Sequence, residues 1–428
     1  MKKIFWNTVI IINFYLILFF WYKNSNSLIF SNNPGDIFIA LGRLFGLLAE
    51  FLILIQLLLI SRFSSIEREY GFDKLINIHK KVGFSLGIFI IFHPLFLTIG
   101  YAKSNNISLV KQFLNFQNSW EGVLGATIAF IIIILISIFS IKKIRSKVPY
   151  EVWYFAHLPL YIAFAIAFGH QINTGDMTNS WAILYWFILN IIVFLILILY
   201  RFIKPLYYFY KHKFIIEKII KENKDIYSIY INGQNMDQFK FREGQFATLI
   251  FLQKNMFFHH PFSFSDAFNG KNIRLTIKSS GDFTSKINNL KTGTRVWIDG
   301  PAGTFTLQNA INKKYLFIAG GIGISPILSL IKSIKNTNDA ILLYSNKTEE
   351  NIVFKDEITQ SGIKANFFYT KQGIQNRIDI KKIEQVCSDY KKRDIYICGP
   401  TKMTMDLVKN IKSNGLSSEQ IHFEKFDY

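Results

Sequence analysis

A chain of 428 residues has room for two or three domains, and half of its residues are hydrophobic. Its two cysteines, Cys387 and Cys398, exclude a disulfide framework and a cysteine-rich zinc or iron–sulfur site. The formal net charge of +20 does not imply nucleic acid, because much of it lies in loops bordering apolar segments, where anionic lipid headgroups attract it.

The longest apolar runs fall in the first 205 positions. A hydrocarbon core about 30 Å thick takes about 20 apolar residues per helix, and six segments qualify: 4–22, 37–61, 79–101, 121–141, 152–171 and 181–204. Six crossings put both ends on one side. Lys2, Lys3, Arg62, Arg68, Lys80, Lys81, Lys142, Lys143, Arg145 and Lys147 fall on one face, against Lys23, Lys103 and Lys111 on the other. The expectation is a multi-pass protein of the cell membrane with both termini cytoplasmic. The first run is too long for a secretory signal and no small-residue cleavage site follows, so it reads as a retained helix.

Ionisable side chains inside a bilayer are costly, and each is a functional hypothesis. In the second span Arg43 and Glu50 are seven apart and share a face. Arg43, near the outer end, is a candidate to meet an anionic group or the electron acceptor, and Glu50 either neutralises Arg43 or relays protons. His79 opens the third span and His93 lies fourteen residues on, about 21 Å along a helix. His157 and His170 bracket the fifth span, thirteen apart. Both helices run in the same direction, so His79 and His157 share the inner depth and His93 and His170 the outer. Paired imidazoles at two depths are what two stacked six-coordinate haems require. Thirteen residues return about 140° off the starting face, and Pro159 is expected to kink or re-register the helix.

After Lys204 and Pro205 the pattern changes to short strands such as 226–231 and 247–251, as in a small antiparallel β-barrel. It contains His260, Pro261, Phe262 and Ser263, where an aromatic side chain can pack on an isoalloxazine ring and a hydroxyl can bond to it. Further on, Lys278, Ser279, Ser280, Gly281, Asp282, Phe283 and Thr284 offer backbone N–H groups and hydroxyls to a pyrophosphate. From about Lys313, strands 315–319, 340–344, 365–369 and 394–398 alternate with helical stretches, the pattern of a parallel α/β sheet that binds a dinucleotide.

That sheet opens with Gly320, Gly321, Gly323, Ser325 and Pro326 between an apolar strand and a helix, the context in which glycines admit phosphates to a helix N-terminus. Its last strand ends at Cys398, Gly399 and Pro400, a turn expected to bring Cys398 toward a nicotinamide. Ser345 and Lys347 follow the second strand, where a cation favours a 2′-phosphate and hence NADPH over NADH. The terminal Phe426 and Tyr428 are candidates to stack on the flavin. The domains are read as 1–205, 206–310 and 311–428.

These residues together resemble the ferric reductase and NADPH oxidase superfamily, in which a six-helix di-haem membrane domain is fused to a ferredoxin-reductase-like module, and most closely its compact bacterial kind. The resemblance rests on the two histidine pairs, His260 to Ser263, Gly281 to Thr284, Asp299 to Gly303, Gly320 to Pro326 and Cys398 to Pro400. It implies FAD in the barrel, NADPH in the sheet domain with NADH the alternative, and two b-type haems on His79 with His157 and on His93 with His170. Single electrons would leave on the outer face, to dioxygen giving superoxide or, alternatively, to a ferric chelate. One departure bears on that choice: superoxide-making eukaryotic oxidases carry a further histidine one turn beyond the outer ligand, where this chain has Leu97. The bilayer and a small-molecule acceptor are the expected partners, without nucleic acid or an obligate protein. No calcium-binding loop or acidic regulatory segment flanks the core, so a constitutive, self-contained enzyme is expected.

Overall fold

The computed structural model describes residues 2–171, 180–373 and 376–425. The chain divides into two compact units, Met1–Phe202 and Ile203–Tyr428.

The described elements of the first unit are helices: α1 (Lys2–Ile29), α2 (Asp36–Ile60), α3 (Ser64–Tyr70), α4 (Phe72–Ser104), α5 (Leu109–Ser119), α6 (Val123–Phe139), α7 (Lys142–Arg145), α8 (Tyr150–His157), α9 (Pro159–Gly169) and α10 (Ser180–Leu197). A π-helical stretch, Ile198–Ile203, continues α10 into α11 (Lys204–His212), which opens the second unit. Among the described residues, five helices are long and apolar enough to cross a membrane; a sixth span arises if α5 and α6, bent by 114° to one another, are counted together. Large apolar side chains on their outer faces, such as Phe84, Leu135, Ile162 and Trp181, are exposed, as a hydrocarbon solvent demands. Inside, Ala49, Ile53 and Leu57 of α2 recur at helical spacing and pack with Leu86 and Ile90 of α4, Ala129 and Ile133 of α6, and Ala163 of α9.

Two helix boundaries differ from the sequence reading. The third span begins at Phe72, so His79 lies two turns inside α4 rather than at its start. The fifth is interrupted: α8 ends at His157, Leu158 intervenes, and Pro159, which has no N–H to give, starts α9.

The second unit contains β1 (Ile215–Lys221), β2 (Ile226–Asn232), β3 (Phe246–Phe251), β4 (His260–Ser263), β5 (Ile273–Lys278), β6 (Val296–Ala302), β7 (Tyr315–Gly320), β8 (Ala340–Asn346), β9 (Lys364–Tyr369), β10 (Asp394–Gly399) and β11 (Ile421–Lys425). The first six form two antiparallel three-stranded sheets, β1-β2-β5 and β4-β3-β6, around a core that includes Ile229, Ile231, Leu249, Phe251, Leu275 and Ile298. Bridges Ile215↔Arg295 and Phe264↔Leu275 join them.

The last five form one parallel sheet, β11-β10-β7-β8-β9. Alternation along its strands feeds two cores. Phe317, Ala319, Leu342, Tyr344 and Tyr396 pack with α12 (Ile324–Lys332) and α13 (Lys355–Gln360). Leu316, Ile318, Leu343, Ile395 and Ile397 pack with α14 (Ile380–Val386) and α15 (Thr401–Ser413). Burial on both faces explains why the central strands β7, β8 and β10 read as apolar runs.

The antiparallel and parallel parts are fastened along α12. Ser325 Oγ donates to the Thr276 carbonyl at 3.3 Å, and Ser329 Oγ accepts from the Gly244 amide at 2.8 Å. One turn on, Lys332 pairs with Asp266 at 2.9 Å and with Glu357 at 2.5 Å. Glu357 also takes the buried Arg274 guanidinium at 2.7 Å, and that guanidinium lies over the Phe354 ring. Burial alone would raise the Glu357 carboxyl, but hydrogen bonds and charge from Arg274 and Lys332 outweigh it and hold it below the ordinary carboxylate range. A depressed folded-state pKa contributes stability that is fully present above about pH 4.3, the unfolded glutamate value, and is lost as pH falls through the folded value. Glu357→Gln is therefore expected to destabilise the second unit by about 2 kcal/mol at pH 7. Thermal melts of wild type and variant should converge as the pH is lowered below 4; a constant difference across that range would contradict the pairing.

Candidate functional site

The membrane unit brings four histidines together in two pairs. The His79 and His157 rings lie 6.5 Å apart between centroids, and the His93 and His170 rings 6.2 Å. The first residue of each pair comes from α4 and the second from the ends of α8 and α9. The break at Pro159 lets residues thirteen apart both turn toward α4.

Hydrogen bonds orient the rings. His93 Nδ1 lies 2.8 Å from the Gly42 carbonyl, which fixes Nδ1 as the protonated nitrogen and leaves Nε2 with its lone pair. This contact needs α2 close by, and a Cβ on Gly46 would stand 2.5 Å from His93 Nδ1. His170 Nδ1 bonds to the Ala167 carbonyl. His157 Nδ1 lies 3.5 Å from Ser140 Oγ, which also accepts from Trp153 Nε1 at 3.2 Å. His79 Nδ1 is buried with no hydrogen-bond partner, while its carbonyl accepts from Gln56 Nε2 at 3.0 Å.

Such an arrangement suits one kind of metal group. Among the described residues no three His, Cys, Asp or Glu side chains converge as ligands for a bare ion. An ion carried in a planar macrocycle needs only two protein ligands, one per face. With a metal–imidazole bond of about 2 Å, two imidazoles on opposite sides of one ion stand about 6 Å apart between centroids, as both pairs do. The residues present therefore fit haem.

On the same helix as Gly42, Arg43 is half-buried and Glu50 is buried. Gln171 Nε2 donates to Glu50 at 3.1 Å, and Gln171 Oε1 accepts from Trp186 Nε1 at 2.8 Å. This link was not legible from sequence, because Glu50 and Gln171 stand 121 residues apart. Leu97 packs against Gly42, one turn beyond His93.

In the second unit, His260, Pro261 and Phe262 are half-buried on β4, an edge strand, while Ser263 is buried. The His260 ring stacks on Phe283 at 3.8 Å, and Phe262 lies nearly parallel to the same ring. An edge strand with half-exposed rings offers a surface for a planar ligand. The turn after β5 is more self-contained than the sequence suggested. Ser279 N–H bonds to the Asp225 carbonyl at 2.7 Å, and the amides of Ser280 and Gly281 bond to Thr284 Oγ1 at 3.1 and 2.9 Å. A ligand anion would compete with these bonds. Lys278 pairs with Asp225 at 3.5 Å, and Asp282 accepts from Ser285 through its backbone carbonyl.

In the parallel sheet, β7 is followed by β8 on one side and flanked by β10 on the other, so the strand order reverses between β7 and β10. Ligands of open parallel sheets bind at such a reversal, outside the carboxyl ends of the strands. There Gly320 and Gly399 pack against each other and against Met403, and the turn Gly321–Gly323 leads into α12. A Cβ on Gly323 would stand 2.1 Å from the Cys398 carbonyl oxygen. Pro400 is exposed and caps α15. Ser325 and Pro326 are buried in α12. Cys398 has no accessible surface; its side chain belongs to the core between β10 and α12, so direct contact with a nicotinamide requires that cover to move. Ser345 is buried at the end of β8, whereas the Lys347 side chain is exposed just beyond it. Phe426 and Tyr428 lie outside the described residues.

Three family descriptions match successive parts of the chain: a ferric reductase like transmembrane component over residues 45–168, an FAD-binding domain over 212–306, and an oxidoreductase NAD-binding domain over 317–409. Among curated proteins, it is similar to the flavohemoprotein of Bacillus subtilis (strain 168), 25% identical over 234 residues, covering 50% of this chain and 58% of that one. It is also similar to flavohemoprotein B of Dictyostelium discoideum, 26% identical over 250 residues, covering 50% and 59%. The chain thus spans less than two thirds of the length of these relatives. Among solved structures, the ferredoxin reductase in carbazole 1,9a-dioxygenase is 21% identical and covers 50% of this chain and 69% of that one, with a TM-score of 0.44.

The three matches, in this order, describe a chain with a ferric-reductase-like helical membrane component ahead of FAD- and NAD-binding domains. The combination is that of a ferric reductase/NADPH oxidase-type fusion.

The close approach of Gly323 to β10 gives a direct test of the reversal point. Gly323→Ala should destabilise the second unit by more than about 3 kcal/mol, since the obstruction is backbone rather than a flexible side chain. A differential-scanning melt in which this transition is unchanged would contradict it.

Proposed function

We propose that the protein moves electrons from NADPH, through FAD and two b-type haems, across the cell membrane to an acceptor on the outer face. Six spans, with α5 and α6 counted as one crossing, would place both termini in the cytoplasm. Work would be divided among a di-haem domain (1–205), an FAD-binding β-barrel (206–310) and an NADPH-binding domain (311–428). The observation that carries this reading is the pair of matched imidazole separations, 6.5 and 6.2 Å, at two levels of one bundle.

When bound, the flavin takes two electrons as a hydride and passes them on singly, and the haems carry single electrons through a medium that excludes ions. The protein's own part is to position these groups. His79 with His157 would hold the inner haem and His93 with His170 the outer, with the Gly42 carbonyl fixing the His93 tautomer. His260, Pro261, Phe262 and Phe283 would support the flavin ring, and Lys278, Ser279 and Thr284 would lie by its phosphates. Gly320, Gly321, Gly323, Gly399 and the start of α12 would admit the NADPH pyrophosphate, and Cys398 would line the nicotinamide side once uncovered. Arg43, half-buried near the outer pair's helix contact, would draw an anionic product or acceptor outward.

Each NADPH supplies two electrons, so two dioxygen molecules leave as superoxide and one proton is released on the cytoplasmic side. The second reading keeps the path and ends on a ferric chelate; it is favoured by Leu97, which presents hydrocarbon beside Gly42 where the oxidases have an imidazole. Purified protein given NADPH with dioxygen and ferric chelate separately distinguishes them. The first reading predicts superoxide formation that survives iron chelation; chelate reduction that persists without oxygen, with no superoxide, would replace it with the second.

The exposed Lys347 provides a test of nucleotide choice. Lys347→Ala should lower kcat/KM for NADPH about tenfold, the loss of one charge-assisted contact of about 1.4 kcal/mol, and leave NADH turnover unchanged. Equal effects on both nucleotides would remove Lys347 from the 2′-phosphate site.

A further inference from the structure

The two residues of the outer pair are held in different ways. His93 lies mid-helix, with more than two turns of α4 on either side, whereas His170 is the cap residue directly after the last residue of α9. A ligand in that position needs other means of keeping its place, because metal sites depend on ring orientation.

Two contacts supply it. On one side the Gly122 turn, in the left-handed region at φ +79, comes so near that a Cβ there would stand 2.8 Å from the His170 Cα. On the other, the very next residue is fastened at both ends of its amide. Gln171 Nε2 donates to Glu50 Oε2 at 3.1 Å, and Gln171 Oε1 accepts from Trp186 Nε1 at 2.8 Å. Indole can only donate, so it fixes which end of the amide is oxygen and turns the NH₂ toward Glu50. Glu50 is 4% exposed and Trp186 2%. A carboxyl kept in the interior of a membrane helix is expensive, and its use as the anchor of this link accounts for its presence.

We propose that Gln171 is a positioning residue for the outer haem ligand His170, locked in place by Glu50 of α2 and Trp186 of α10. This rests on the reading that His93 and His170 hold the outer haem. The link needs an acceptor oxygen at position 50, which Glu50→Gln keeps and Glu50→Leu removes.

The test uses the full-length protein in detergent or nanodiscs, with Gln171→Ala, Glu50→Leu, Glu50→Gln and Trp186→Phe compared with wild type. The readouts are haem per flavin, the low-spin electron paramagnetic resonance signal and midpoint potential of each haem, and the rate of haem transfer to excess apomyoglobin. In Gln171→Ala and Glu50→Leu the outer haem should show altered g-values and leave at least fivefold faster, with the inner haem and flavin unchanged. Trp186→Phe should show a smaller change of the same kind, and Glu50→Gln should behave as wild type. The unchanged inner haem separates loss of positioning from loss of folding. Wild-type values for the outer haem in Gln171→Ala and Trp186→Phe would overturn the proposal, as would a Glu50→Gln variant as impaired as Glu50→Leu. Wild-type protein that binds no haem would instead defeat the haem reading itself.

Discussion

An imidazole buried in an apolar bundle must find a partner for each nitrogen or a use for its lone pair, and much of the membrane unit follows from meeting that demand for His93, His157 and His170. The close packing of α2 on α4 lets the Gly42 carbonyl reach His93, and a side chain at Gly46 would prevent it. The interruption at Pro159 turns His157 and His170 toward one helix. Ser140 and Trp153 surround His157. Together these devices bring the two tilted rings of each pair to a separation that suits an ion held between their nitrogens.

The second unit answers to a different constraint, the close approach of backbone to backbone at the strand reversal. Gly320, Gly323 and Gly399 bring the ends of β7 and β10 together, which forms the crevice at the start of α12. The same helix carries Ser325, Ser329 and Lys332, which fasten it to the antiparallel sheets. The element that would receive the nucleotide's phosphates is therefore also the one that fixes the flavin-binding part relative to the nucleotide sheet.

Much of this was legible in the sequence because it depends on local pattern. The parallel strands are buried on both faces, so Tyr315–Gly320 and Asp394–Gly399 stand out as apolar runs that end in glycine. The histidine pairs were readable because charge and polarity are rare in the spans. The sharp bend between α5 and α6 was not, since α5 is amphipathic and contributes little to an apolar window. Nor was β11, a short edge strand whose pairing with β10 leaves no local signal. The Arg274 cluster and the Gln171 link escaped for one reason: their partners are brought together only by tertiary packing, across 83 and 121 residues. The turn at Ser279–Thr284 was legible as a turn, but not that it would use its own amides.

The proposed electron path runs from the nucleotide sheet to two haems held by the four histidines. It is tested most directly by rapid anaerobic mixing of the purified protein with NADPH while flavin and haem absorbance are followed together. Flavin bleaching should be followed by reduction of two haems per flavin, with bis-imidazole low-spin spectra. Flavin that bleaches while the haem bands remain oxidised, or a protein with only one haem per flavin, would contradict it.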